Sequence, residues 1–218
     1  LSLTQADIKQ AVIEAGSDHG EVFGFPEKAD GLHLQQDPEE YSQFVHFMAT
    51  EVPPAKLALD IGIASGGQTK FLRDYYRVDK TIVVDIGEHP KFPHWDRIKK
   101  TVKTEIVLEL IEDSHKKSVR EAIEGYAGQV DFTFIDGDHS YKGLKQDIDL
   151  AKTVTKKGAI YVLHDTLAVA DCKKVFDELC ADPDFELVRN FDRHFGISVW
   201  RYLAVRGPKR SWWSQIFG

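Results

Sequence analysis

Between residues 56 and 164 short apolar runs alternate with stretches of helical period, and no other feature constrains the fold as much. Lys56–Ile61, Thr81–Ile86, Thr104–Ile111, Val130–Asp136 and Ala159–His164 read as strands. Gln68–Tyr76 reads as a helix, as does Ser114–Tyr126, which carries Val119, Ala122, Ile123 and Tyr126 on one face. Leu144, Ile148, Ala151 and Val154 mark another helix, and Cys172, Val175, Phe176 and Leu179 the next. Strands that alternate with helices pair in parallel through right-handed crossovers. The ending differs, because only Asp192 to Gly196 separate Phe185–Phe191 from Ile197–Leu203. So short a link makes an antiparallel pair. The expectation is an α/β protein with a seven-stranded, mostly parallel sheet, an antiparallel C-terminal hairpin and helices on both faces.

Residues 1–52 read as helix, irregular stretch and helix. Thr4 caps a first helix bearing Ile8, Ala11, Val12 and Ala15, and Gly16–Gln36 has no period. Asp37-Pro38-Glu39-Glu40 is a helix start, with Asp37 as cap, Pro38 at the first position and Glu40 reaching back. Tyr41, Phe44, Val45 and Met48 then form one stripe, ended by Pro53-Pro54. This region is expected to form a lid or acceptor wall, followed by a main domain over 53–205 and a tail over 206–218.

Three strand ends carry the chemistry. In a wound parallel sheet ligands bind past the carboxyl ends of the strands, where the winding reverses. Asp60-Ile61-Gly62-Ile63-Ala64-Ser65-Gly66-Gly67 makes a glycine turn there, its Asp60 suited to a cationic amino group. The nicotinamide pattern G-x-G-x-x-G is interrupted by Ala64, whose methyl takes the room of the second glycine. Asp85 ends the second strand, at the spacing of an acid that binds ribose hydroxyls. Asp113 and Ser114 close the third, where they either line an adenine or cap a helix. Asp136, Asp138 and His139 follow the fourth strand, and His164-Asp165 end the fifth. Oxygen-rich sites of this sort suit Mg²⁺ or Mn²⁺. His139 has the chemistry of a general base or of a structural cap, whereas His89, His94 and His115 read as surface or loop residues.

The segments LALDIGIASGGQT, TIVVDI, EDS, FIDGDHSYKGLKQDIDLA and KKGAIYVLHD resemble a class I S-adenosylmethionine-dependent methyltransferase. More narrowly, they are similar to the branch of macrocin-type and mycinamicin-type sugar O-methyltransferases and relatives of catechol O-methyltransferase. The resemblance covers about residues 37–203 and implies a Rossmann-like sheet. It implies that Asp60, Gly62, Ser65, Gly66 and Gly67 hold the methionine part of the cofactor, Asp85 the ribose, and Asp113 and Ser114 the adenine. Asp136 and Asp165, with His164 beside them, would hold Mg²⁺ or Mn²⁺, and His139 would take the acceptor's proton. His164 and Thr166 stand where relatives carry an acid or an amide.

The expected activity is therefore O-methylation of a small polyhydroxylated acceptor, a sugar or a catechol-like ring. Rival readings are a nicotinamide-dependent oxidoreductase and a non-catalytic S-adenosylmethionine-binding protein. A net charge of −7 argues against broad nucleic-acid binding, and no apolar run reaches the ~20 residues of a membrane span. Cys172 and Cys180 lie eight residues apart in one helix, too far to pair, and read as two small buried apolar residues of a reducing, cytoplasmic compartment. Trp212, Trp213 and Phe217 suggest an apolar contact of a homo-oligomer, a partner chain or a membrane surface, and Leu at position 1 leaves a removed leader open.

Overall fold

A computed structural model describes residues 3–17 and 27–205. The expected homo-oligomer contact of Trp212, Trp213 and Phe217 lies outside the described residues. The strands are β1 (Ala55–Ile61), β2 (Val78–Asp85), β3 (Glu105–Ile111), β4 (Val130–Ile135), β5 (Thr155–Leu163), β6 (Phe185–Phe191) and β7 (Ile197–Tyr202). They form one seven-stranded sheet in the order β3-β2-β1-β4-β5-β7-β6. All pairs from β3 to β5 are parallel, and β7 runs antiparallel between β5 and β6. The chain winds outward through β1, β2 and β3, then returns to the other side of β1 to lay down β4. The switch point is the β1–β4 boundary.

The helices are α1 (Gln5–Ala15), α2 (Pro38–Glu51), α3 (Gly67–Tyr75), the short α4 (Trp95–Ile98), α5 (Lys117–Ile123), α6 (Tyr141–Lys152) and α7 (Ala170–Cys180). The period of two sends alternate strand residues to opposite faces of the sheet. Leu57, Leu59 and Ile61 face α5, α6 and α7, joining Val119, Ile148 and Val175. Ala58, Phe132 and Phe134 face α1, α2 and α3, joining Ile8, Tyr41, Phe44 and Leu72. Both faces are thus covered by apolar stripes, which is why the parallel strands read as near-continuous hydrophobic runs.

Several expectations shift. Thr4 does cap α1 in a box with Asp7. Asp37 caps α2 by accepting from the Glu40 amide, but the Glu40 side chain does not reach back to the cap. It is 1% exposed and points to the β6–β7 loop instead. The helix expected over Ser114–Tyr126 begins at Lys117 and ends in a 3₁₀ turn at Glu124–Tyr126. Cys172 is buried, whereas Cys180 is exposed, because it sits at the last residue of α7. No helix among the described residues is long and apolar enough to cross a membrane.

Candidate active site

The tips of β1, β2, β4 and β5 open onto one cavity of about 640 Å³, within the usual range for a small-molecule site. The strand ends are stapled together: the Gly62 amide donates to the Val84 carbonyl at 2.9 Å, and the Asp136 amide to the Ile61 carbonyl at 2.8 Å. Gly62 has φ +76°, and a Cβ there would come within 2.2 Å of the Asp136 carbonyl oxygen. Only glycine lets β1 and β4 approach so closely at the switch point.

Asp85 organises the turn beyond Gly62. Its Oδ2 accepts from the amides of Ile63 at 2.7 Å and Ala64 at 3.1 Å, and its Oδ1 from Gly87 at 2.6 Å. A carboxylate has about four acceptor sites, so roughly one remains for a ligand. Ala64 has φ +48°, a left-handed conformation held by that hydrogen bond. Ser65 also lines the cavity, with its hydroxyl donating to the Leu32 carbonyl at 2.8 Å.

Asp136 and Asp165, at the tips of β4 and β5, face two imidazoles. His139 Nε2 lies 3.2 Å from Asp136 Oδ1 and 3.2 Å from Asp165 Oδ2. His164 Nδ1 lies 3.4 Å and 3.2 Å from the same two oxygens, without a well-directed hydrogen bond to either. Its other nitrogen is 3.0 Å from the Gln36 amide oxygen. Burial opposes ionisation of Asp136, but the two imidazoles more than offset it and hold the carboxyl well below the usual range. Burial would lower the pKa of His164, yet Asp136 and Asp165 raise it to about 10. The hydrogen bond to Asp136 raises that of His139 as well. Asp165 has φ +59°, in the left-handed region.

The donor atoms of Asp136, His139 and Asp165 lie within 4.8 Å of one another, a set that fits a divalent cation. The expected set paired His164 with the acids and left His139 as base. In the structure His139 shares both carboxylates, and His164, anchored by Gln36, adds a buried nitrogen aimed at the same two oxygens.

The third wall is the turn Glu112–His115, which brings Asp113 and Ser114 to the cavity as expected. Behind it sits Asp147 of α6, buried, accepting from Ser114 Oγ at 2.6 Å and lying 3.2 Å from His115 Nε2. Burial raises the Asp147 pKa.

Three expected ligands do not line this cavity. Asp60 is fully buried, bonded to Arg73 Nη2 at 2.8 and 3.0 Å and to the Thr69 hydroxyl at 2.9 Å. Its carboxylate is committed to a buried ion pair and is not available to an amino group. Gly66, φ +81°, makes room for the Trp95 ring, which a Cβ would meet at 2.1 Å. Gly67 makes room for the Leu32 carbonyl, which a Cβ would meet at 1.9 Å. Both glycines shape the turn from behind.

The cavity also includes residues that sequence reasoning missed. Gln68, at the start of α3, lines it with both amide atoms buried and without a hydrogen-bond partner among the described residues. Its place directly after two glycines at a helix start was the available signal. His89 and His115 line the cavity rather than an outer surface. His33 to Gln36 approach from the N-terminal region, and His194 and Phe195 from the β6–β7 loop.

The fold and the comparisons with known proteins together support a class I S-adenosylmethionine-dependent methyltransferase. Residues 59–166, which span β1 through the Asp165 tip, match the family model described as a methyltransferase domain. Three solved structures share the fold. The O-methyltransferase TomG of Streptomyces achromogenes, in complex with SAM, has a TM-score of 0.60 at 13% identity, covering 93% of this chain and 100% of its own. The N-methyltransferase NodS of Bradyrhizobium japonicum WM9, in complex with S-adenosyl-L-homocysteine, scores 0.57 at 14% identity over 90% and 99%. A putative RNA methyltransferase of Pyrococcus horikoshii scores 0.58 at 8% over 94% and 99%. No curated protein sequence matches the chain.

Proposed function

We propose that this protein transfers a methyl group from S-adenosylmethionine to a hydroxyl of a small, uncharged, polyhydroxylated acceptor, such as a sugar or catechol-like ring, with help from Mg²⁺ or Mn²⁺. One observation carries the reading: Asp136, His139 and Asp165 converge beside the Gly62 turn at the switch point. A donor lying across that point would rest its ribose on Asp85 and its adenine along Asp113 and Ser114. Its amino-acid end would meet Gly62, Ser65 and the unpartnered amide of Gln68, which offers both a donor and an acceptor.

A divalent ion held there would lower the pKa of the attacking hydroxyl. Asp136, His139 and Asp165 would hold it, while Gln36 keeps the His164 ring turned toward the carboxylates. One nitrogen cannot ligate an ion and accept a proton together, and the two equal 3.2 Å distances favour His139 as ligand. The wall of His194 and Phe195 would orient the acceptor for in-line attack.

The rivals fare less well. The Ile63 and Ala64 amides that a pyrophosphate would need already bond Asp85, whose charge would also repel it. No lysine or arginine is among the described residues lining the cavity, which disfavours a nucleic-acid backbone. The two free cysteines among the described residues accord with a reducing, cytoplasmic setting.

Calorimetric titration with S-adenosylmethionine, NADH and Mn²⁺, followed by labelled-methyl transfer to catechol and to free sugars, tests the reading. Asp136→Ala should abolish Mn²⁺-dependent turnover and leave S-adenosylmethionine affinity within about threefold of the wild type, a change of less than ~1 kcal/mol. Binding of NADH in place of S-adenosylmethionine would refute the donor, and turnover indifferent to Mn²⁺ and to Asp136 would refute the metal.

A further inference from the structure

Glu40 is a buried carboxylate outside the cavity, and the chemistry above does not use it. It is 1% exposed and has no cationic partner among the described residues; it accepts four backbone amides instead. Oε1 accepts from Arg193 at 2.9 Å, His194 at 2.9 Å and Gly196 at 3.1 Å, and Oε2 from Phe195 at 3.0 Å. Four consecutive amides converging on one side chain is an unusually complete anion nest. A buried anion is tolerable only when hydrogen bonds replace its lost hydration, and here the loop's own backbone supplies them.

The loop so held is the short link between β6 and β7, and it faces the reactive cluster on its other side. The Phe195 ring centroid lies 5.5 Å from that of His164. The Phe195 carbonyl accepts from the amides of Leu167 at 2.8 Å and Ala168 at 2.9 Å, and the Gly196 carbonyl from Thr166 at 3.1 Å. These bonds join the loop to the segment that leaves Asp165 in its left-handed conformation. Gly196 fits because it has φ +84°, and a Cβ would come within 2.4 Å of the Leu167 amide nitrogen. The loop is therefore clamped between α2 and the tip of β5. Glu40 is the residue that ties it to the N-terminal helices, reinforced at the surface by Arg193 Nε, 3.4 Å from Asp37 Oδ1.

We infer that Glu40 is a positioning residue for acceptor recognition: its carboxylate fixes the His194–Phe195 wall against the reactive cluster and so sets affinity for the acceptor, not for the donor. This rests on the methyltransferase reading, and it assigns the two ends of the cavity to different supports. The donor end is carried by Asp85 and by the turns after β1 and β3, none of which Glu40 touches.

The test uses Glu40→Gln in the full chain. The amide oxygen can keep the three contacts of Oε1, but the NH₂ group then faces the Phe195 N–H, donor against donor. The substitution thus targets the residue that lines the cavity. S-adenosylmethionine Kd, from calorimetry, should stay within twofold of wild type. The KM for catechol, or for whichever probe acceptor the wild type methylates, should rise at least tenfold. Phe195→Ala should raise the same KM, and the double variant should be no worse than the poorer single, since both act through one wall. Amide exchange over residues 193–196 should quicken in Glu40→Gln while α3 and β1 remain protected.

Equal loss of donor and acceptor affinity, or an unchanged acceptor KM, would overturn the inference, as would strictly additive effects of the two substitutions. A wild type that binds no S-adenosylmethionine, or methylates no acceptor, fails in the control and counts against the proposed function itself. Should Glu40→Gln fold poorly, Glu40→Asp, which keeps the charge but is one methylene shorter, takes its place under the same criteria.

Discussion

The burial of Asp60 leads to a prediction that separates support from ligand binding. Asp60 and Arg73 are both fully buried, and one guanidinium nitrogen reaches both carboxylate oxygens. Arg73 Nε and Nη1 have no hydrogen-bond partner among the described residues, and the guanidinium carbon lies 5.2 Å from the Phe132 ring centre. Removing one partner of such a pair leaves a bare charge in the core and costs about 3–5 kcal/mol. Against a total stability of about 5–15 kcal/mol, Arg73→Met or Asp60→Leu alone should bring the protein close to unfolding. Removing both charges together is different, because the incompletely bonded pair recovers little of its desolvation cost. The double variant loses chiefly the Thr69 hydroxyl's acceptor, about 1–3 kcal/mol, and gains apolar packing between β1 and α3. Its destabilisation should therefore be at least about 3 kcal/mol smaller than the sum of the singles, read from urea unfolding curves. Once folded, it should bind S-adenosylmethionine almost as tightly as the wild type, because Asp60 does not reach the cavity. A stable double variant that had lost fifty-fold in affinity would show that Asp60 touches the donor after all. Additive singles would refute the coupling.

Two further outcomes follow from the other buried charges. With its pKa raised to about 10 from 6.5, His164 contributes stability that is complete below about pH 6.5 and lost as pH rises toward 10. Asp136, with its pKa depressed, contributes stability that is present above about pH 4 and lost below it. The metal-free melting temperature should therefore be highest in weakly acidic solution and fall on the alkaline side, and His164→Gln should flatten that alkaline slope; an identical slope in the variant would count against the pairing. Asp147→Asn removes a carboxylate that burial disfavours while keeping an acceptor for Ser114, so thermal stability at pH 7.5 should hold or rise. S-adenosylmethionine affinity should nevertheless weaken about fivefold, roughly 1 kcal/mol, as His115 loses its charged partner; unaltered affinity would show that Asp147 does not support the wall of Asp113 and Ser114 proposed for the adenine.

Sequence alone revealed the sheet wherever strands run through the core, since parallel strands buried on both faces leave an apolar signature. It failed at strand beginnings. β2 starts at Val78 and β5 at Thr155, earlier than hydropathy indicates: Lys80 pairs with Leu57 and Glu105, and Lys156-Lys157 lie in the irregular stretch between the Thr155 and Ile160 pairings, with side chains in water. The cavity was legible where an acid overhangs a strand tip, as at Asp85, Asp136 and Asp165. Asp60 misled because it lies one residue short of the tip, on the face that β1 turns toward α3, and its partner Arg73 is thirteen residues away. Glu40 misled for a similar reason: the capping pattern is local, while the amides that claim its carboxylate lie more than 150 residues downstream. Histidines in loops carry no period at all, so only the closed fold reveals that His89 and His115 share one hollow.

Backbone strain links these observations. Among the described residues four non-glycine residues have positive φ, and three of them, His33, Ala64 and Asp165, line the cavity. Each such residue costs roughly 1–2 kcal/mol, so their clustering needs compensation nearby. Ala64 is held by the carboxylate of Asp85. The chain around His33 is held by the Leu32 and Leu34 amides, which bond the carbonyls of Ala15 and Gly16. Asp165 is followed by three amides bound to the loop that Glu40 clamps. In every case the strained residue belongs to one wall of the cavity and part of its restraint comes from a different element. The walls are therefore fixed relative to one another before any ligand arrives, and that geometry suits a displacement in which acceptor atom, methyl and sulfur must lie on one line.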